Sequence, residues 1–130
     1  MKISKKSQYG LRAMLYLAKA QKEKKITPLK EIAEKERIPF DFLEKIFSKL
    51  EKAGLVKAKK GSQGGYFLAK PAEKITPGGI VSVLEENIEI VHCTGCPMAG
   101  QCTSEDVWGE VQDSLDSTLN STTLANLIKK

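Results

Sequence analysis

The chain has 130 residues, is 41% hydrophobic and 28% charged, and carries a net charge of +5. That size suits one compact domain, or a small domain with an oligomerisation element, and the composition is that of an ordinary globular sequence. No apolar run approaches a membrane span, and Met1-Lys-Ile-Ser-Lys-Lys-Ser lacks the apolar stretch and cleavage site of a secretion signal, so the expected location is the cytoplasm with no membrane partner.

Charge is unevenly placed. Residues 1–70 hold 18 Lys/Arg against 7 Asp/Glu, a net of +11, while residues 71–130 hold 3 against 9, a net of −6. A basic half joined to an acidic half points to a polyanion-binding module tied to a sensor. A solvated lysine-rich surface is the plainer alternative.

Leu11, Met14, Leu15, Leu17 and Ala18 recur at helical spacing and predict a helix within 4–21, capped by Ser4 or Ser7. A charged loop follows. Thr27-Pro28 reads as an N-cap with proline at the first helical position, opening a short helix with Leu29, Ile32 and Ala33 inward that ends before Pro39. Pro39 opens a third helix, with Phe40, Leu43, Ile46, Phe47 and Leu50 inward and Asp41, Glu44, Lys45, Ser48, Lys49 and Lys52 on the polar side. Gly54 is its expected stop.

The period then changes. Residues 55–60 and 66–69 read as paired strands around a Gly-rich turn at 61–65, closed by Pro71. Thr76-Pro77 starts a helix through Ile80, Val83 and Leu84. Residues 89–102 form a cysteine loop. Thr103 or Ser104 caps a long helix with Glu105 and Asp106 in its first turn and a stripe of Val107, Trp108, Val111, Leu115 and Leu119. Leu124, Leu127 and Ile128 suit a final short helix.

These elements predict a mainly α fold with a small β-hairpin wing. Residues 1–75 make a winged helix-turn-helix DNA-binding domain, 76–103 a connecting helix and cysteine loop, and 104–130 a dimerisation helix and tail. The helix of 39–53 then enters a major groove and Lys60 reaches towards a minor groove. The candidate DNA contacts are Lys5, Asp41, Lys45, Ser48, Lys49, Lys60, Ser62, Gln63 and Gly64.

All three cysteines lie in Cys93-Thr-Gly-Cys96-Pro97-Met-Ala-Gly-Gln-Cys102. Three soft thiolates on a Gly-bearing loop suit a soft metal centre, with one position left for a different group. Zinc on the three thiolates plus His92 or a carboxylate is one alternative. A Cys93–Cys96 thiol–disulfide switch is another, and three spare cysteines the blandest. There is no Ser/His/Asp set, no phosphate-cradling glycine loop and no paired carboxylates in a plausible cleft, so no enzyme is expected. The basic wing argues against a small electron carrier.

Residues 1–15, Leu43-Glu-Lys-Ile-Phe-Ser-Lys-Leu50, Ala53-Gly-Leu-Val56 and Lys60-Gly-Ser-Gln-Gly-Gly-Tyr66, together with the cysteine loop and the Trp108 helix, carry a further signal. Over nearly its whole length the chain resembles the bacterial IscR-type regulators, which have nitric-oxide-sensing (NsrR-like) and cysteine-metabolism (CymR-like) relatives. The resemblance implies a winged-helix homodimer, joined through the long helix, that binds a pseudo-palindromic DNA operator. It also implies an iron–sulfur cluster, of 2Fe-2S type, on Cys93, Cys96 and Cys102.

The chain departs from that pattern in three places. The first cysteine gap is two residues where cluster-binding members commonly have five. Glu105 stands where some members carry a histidine, and Gln8 stands where nitric-oxide sensors carry a carboxylate. The fourth-ligand candidates are Glu44, whose carboxylate would otherwise face phosphates, then Glu105 and His92. A cluster-free regulator of the cysteine-metabolism type, using a thiol switch or a protein partner, is the alternative function.

Overall fold

A computed structural model describes residues 2–91 and 95–129. Its elements are α1 (Lys5–Ala20), α2 (Leu29–Glu36), α3 (Phe40–Lys52), β1 (Val56–Lys59), β2 (Gly65–Leu68), a 3-10 turn (Ala72–Lys74), α4 (Pro77–Leu84), α5 (Glu105–Asn120) and α6 (Leu124–Ile128). This is the expected mainly helical fold with a hairpin wing. No described helix is long and apolar enough to cross a membrane.

The helix-turn-helix forms because periodic apolar residues find one another across a tight corner. α2 ends at Arg37, which adopts the left-handed conformation at φ 55°, and the Ile38 amide donates back to the Ala33 carbonyl at 3.0 Å. Ile38 is buried there, and Pro39 leads into α3. Leu43, Ile46, Phe47 and Leu50 all turn inward and are essentially sealed from solvent. Phe40 departs from the expected stripe. It stands first in the helix, at the flank of the buried face, and is 43% exposed.

Gly54, at φ 81°, stops α3 and lets the Leu55 amide donate to the Leu50 carbonyl at 3.0 Å. The chain then enters the antiparallel hairpin, pairing Val56 with Leu68 and Lys59 with Gly65. Thr27 corrects the cap reading. Its side chain makes no cap bond, and α2 begins behind Pro28 without one. Instead Thr27 forms a two-bond bridge with Tyr66: its amide donates to the Tyr66 carbonyl at 3.0 Å and its carbonyl accepts from the Tyr66 amide at 2.8 Å. A Cβ on Gly65 would lie 2.4 Å from the Thr27 carbonyl oxygen, so this close approach requires glycine.

One hydrophobic core joins α1, α2, α3, the base of the hairpin and α4 through Met14, Leu17, Ile32, Phe47, Ile80 and Leu84. Leu124 of α6 completes it, fully buried, with its amide donating to the Ile75 carbonyl at 2.9 Å. Thr76 caps α4 as expected, accepting from the Gly79 amide at 3.0 Å. α5 is the exception to this packing: none of its residues is buried, and Val107 and Trp108 of the expected stripe are 49% and 41% exposed.

Candidate nucleic-acid interface and cysteine segment

Burying the 43/46/47/50 face of α3 turns its opposite face outward. Asp41, Lys45, Ser48, Lys49 and Lys52 are all exposed on it. The wing stands beside this face because Tyr66 packs edge-on against Phe47, with ring centres 4.9 Å apart. Lys60, Ser62 and Gln63 are exposed at its tip. Gly64 is half-buried, and a Cβ there would fall 2.1 Å from the Lys59 carbonyl, which fixes the tightness of the turn. Burial first, then the charges of Glu51 and Glu44, push the Tyr66 hydroxyl up from its ordinary value. Glu44 is therefore an electrostatic neighbour of the wing.

The first turns of α1 join the same region. The Tyr9 ring meets Phe42 edge-on at 5.6 Å, while Lys5 Nζ and the Arg12 guanidinium lie 5.7 and 5.5 Å from its centre. Lys5 is thereby exposed on an α1 that is stitched to α3. Sequence reasoning passed over Tyr9 and Arg12, although cations four residues before and three after an aromatic on one helix were a readable signal. Further along, the Tyr16 hydroxyl donates to Glu31 at 2.6 Å and Lys24 pairs with the same carboxylate. These bonds hold Glu31 below its ordinary value and push Tyr16 up to about 12.

Cys93 and His92 lie outside the described residues. Cys96 is exposed and Cys102 half-buried, both as free thiols. Residues 95–105 run as successive turns: the Ala99 amide donates to the Cys96 carbonyl, Gln101 to Met98, and Glu105 to Cys102 at 3.2 Å. Ser104 occupies the cap position of α5, but its hydroxyl makes no cap bond. It lies 2.9 Å from Cys102 Sγ instead, and its hydrogen bonds hold the thiol below its ordinary value against the opposing charge of Glu105. A thiol biased towards thiolate suits a soft-metal donor and also a redox-reactive group. Among the described residues, no three His, Cys, Asp or Glu gather as a metal site, so Cys96 and Cys102 are not joined there by Glu44 or Glu105 in such a group.

The segment before the cysteines is held at both ends. Gln112 of α5 accepts from the Ile90 amide at 2.9 Å and donates to the Ile88 carbonyl at 3.2 Å. At the C-terminal end of α4, one carboxylate oxygen of Glu85 accepts from the Ser4 amide at 2.7 Å and the Ser7 hydroxyl at 2.8 Å. Sequence reasoning gave Glu85 no role, since its partners lie about eighty positions away.

Comparison with known proteins fits this geometry. The family model described as "Rrf2: Iron-dependent Transcriptional regulator" matches residues 3–130. The HTH-type transcriptional regulator IscR of Yersinia pseudotuberculosis is 33% identical over 131 residues, covering 98% of this chain and 79% of that one. Among solved structures, CymR, the global cysteine regulator of B. subtilis, is 36% identical with a TM-score of 0.88, covering 99% of this chain and 97% of its own. IscR of T. potens is also 36% identical, with a TM-score of 0.83, 99% of this chain and 87% of its own. Each of these is a regulator and not an enzyme, which agrees with the lack of a catalytic constellation. Matched by that family model over residues 3–130, and over 98% of its length by a relative 33% identical, the chain belongs to the Rrf2 family of transcriptional regulators.

Proposed function

We propose that this regulator is a cytoplasmic homodimer that binds a pseudo-palindromic operator and is controlled by an iron–sulfur cluster on Cys93, Cys96 and Cys102. The observation that carries this reading is the confinement of all three cysteines to residues 93–102, with the Cys102 thiol held towards thiolate by Ser104. The cluster, of 2Fe-2S type, supplies a redox-active centre that can be gained and lost. Glu105, which shares the electrostatic surroundings of Cys102, and Glu44, a neighbour of the wing, are the carboxylate candidates for the fourth position. Residues 1–75 bind DNA, 76–103 sense, and the apolar stripe of α5 within 104–130, exposed at Val107 and Trp108 and half-buried at Val111, Leu115 and Leu119, covers its counterpart in a second copy.

On DNA, α3 enters the major groove and brings Asp41, Lys45, Ser48 and Lys49 to base edges and phosphates. Lys60, Ser62, Gln63 and Gly64 follow the neighbouring groove, and Lys5 contacts the backbone. The test is purification without oxygen, with a visible spectrum, iron and sulfide assays, and titration of a selected duplex by loaded and metal-free protein. Sulfur-to-iron charge-transfer bands with stoichiometric iron and sulfide, and different DNA affinities for the two forms, are expected. A colourless protein without iron or sulfide refutes the cluster reading.

A second reading is favoured by the two free thiols and by the similarity to CymR, one of whose solved structures is an oxidized form from Staphylococcus aureus (33% identical, TM-score 0.82). Here oxidation of the thiols, or a protein partner, changes DNA binding without a metal. Peroxide-dependent DNA affinity in the metal-free protein, lost when all three cysteines become serine, distinguishes it.

A further inference from the structure

α1 begins with an electrostatic problem. Its first turn holds no acidic residue, and Lys2, Lys5 and Lys6 crowd the end where the helix dipole is positive. The missing negative charge comes from Glu85, at the far end of α4. A single oxygen of its carboxylate takes the Ser4 amide and the Ser7 hydroxyl. Ser7 is 1% exposed, and its own amide donates to Ser4 Oγ at 3.2 Å, so the three residues form one knot on the helix end. Charge-assisted bonds of this kind are about twice as strong as neutral ones.

The knot sits at a junction. Three residues past Glu85 the chain reaches Ile88–Ile90, which Gln112 ties to α5, and it then enters the cysteine segment. Lys5, next to the knot on the other side, is stitched to α3 through Tyr9 and Phe42. A recess of about 270 Å³, bounded by Ile3, Glu85, Ile88, Ile90 and Leu115, lies between residues 88–90 and the segment that leads into α1.

We infer that Glu85 is a positioning residue that passes the state of the cysteine segment to the N-terminal end of α1, and through it to the DNA-facing Lys5 and α3. Any displacement of residues 88–90 pulls on Glu85, and a released Glu85 leaves the first turn of α1 without its anion. The inference rests on the reading that the cysteines control DNA binding, whether through a cluster or through thiol oxidation.

The test compares DNA affinity between cysteine states in three full-length proteins: wild type, Glu85→Gln and Ser7→Ala. The states are protein reconstituted anaerobically with iron and sulfide, metal-free reduced protein, and metal-free protein after peroxide. The probe is a duplex selected by wild-type protein from a random pool. Couplings between sites typically amount to about 5–150-fold, and the wild-type ratio between states should fall in that range. In Glu85→Gln, which keeps the shape and loses the charge, the ratio collapses towards one. In Ser7→Ala, which removes one of the two bonds, it falls part of the way. A merely structural role would weaken all states equally and leave the ratio intact, and that result overturns the inference. A wild-type ratio of one overturns the underlying reading and the inference with it. Should Glu85→Gln fail to fold, the graded fall in Ser7→Ala carries the decision alone.

Discussion

Thr27 supports a prediction whose sign depends on which of two roles it plays. A threonine before a proline at a helix start would ordinarily be an N-cap, and replacing a cap typically costs about 0.5–2 kcal/mol. In the structure its hydroxyl caps nothing. The residue is fully buried, and Oγ1 has no hydrogen-bond partner among the described protein groups. A hydroxyl buried without a partner costs roughly 1–3 kcal/mol. Thr27→Val keeps the β-branched shape, removes the orphan and leaves both backbone bonds to Tyr66 in place. The variant should therefore gain on the order of 1 kcal/mol, a rise of about 3–5 °C in Tm for a domain of this size. Thermal and urea denaturation at fixed protein concentration measure it, since association shifts apparent stability. A loss of 0.5 kcal/mol or more would refute the reasoning and restore the capping role.

Gly10→Ala should cost about 1–3 kcal/mol despite alanine's better helix propensity, because the new Cβ would stand 2.2 Å from Leu84 Cδ1 in a sealed part of the core; chemical denaturation decides it, and an unchanged midpoint argues that Leu84 can move aside. Glu31 and Glu85 both have folded-state values below their ordinary ones. Their stabilisation is therefore complete above the unfolded glutamate value of about 4.3 and is lost as pH falls through the lower folded values. Stability followed from pH 6 downwards should decline in that acid range, and less steeply in Glu85→Gln; an identical slope contradicts the assignment. Lys45→Ala and Lys49→Ala should each lower the log–log salt slope of DNA binding by about one if the side chain neutralises a phosphate. A slope equal to wild type removes that lysine from the contact surface.

What could be read in the sequence was whatever local periodicity dictates. Leu43, Ile46, Phe47 and Leu50 announced the buried face of α3, and with it the exposed face of Asp41, Lys45, Ser48 and Lys49. Gly54 and Thr76 announced their helix ends because cap chemistry acts over three or four residues. The misreadings share a different cause. Thr27 was claimed by Tyr66, thirty-nine positions on, and backbone bridging outweighed local cap preference. Ser104 was drawn away from α5 by a sulfur two residues earlier. Glu85 was invisible because a carboxylate at the end of one helix says nothing about which distant helix it will cap. The cysteines were legible as a group. Cys93 and His92 lie beyond the described residues, and the three-dimensional arrangement of ligands is not a property that spacing alone specifies.

The burial of Leu124 also bears on how this regulator comes into being at the ribosome. The helix-turn-helix and the wing have emerged once residue 68 is out, yet the core beneath them still lacks Ile80, Leu84 and Leu124. At roughly 5–20 residues per second, the stretch from Leu68 to Leu124 takes on the order of 3–11 s to synthesise. Through that interval the basic half waits as a nascent chain with an unsealed core. α1 receives its carboxylate cap, Glu85, before the cysteine segment is made, but gains its α6 partner only after that segment has been threaded out. Synthesis therefore delivers the cysteine segment before the core beneath the helix-turn-helix is sealed.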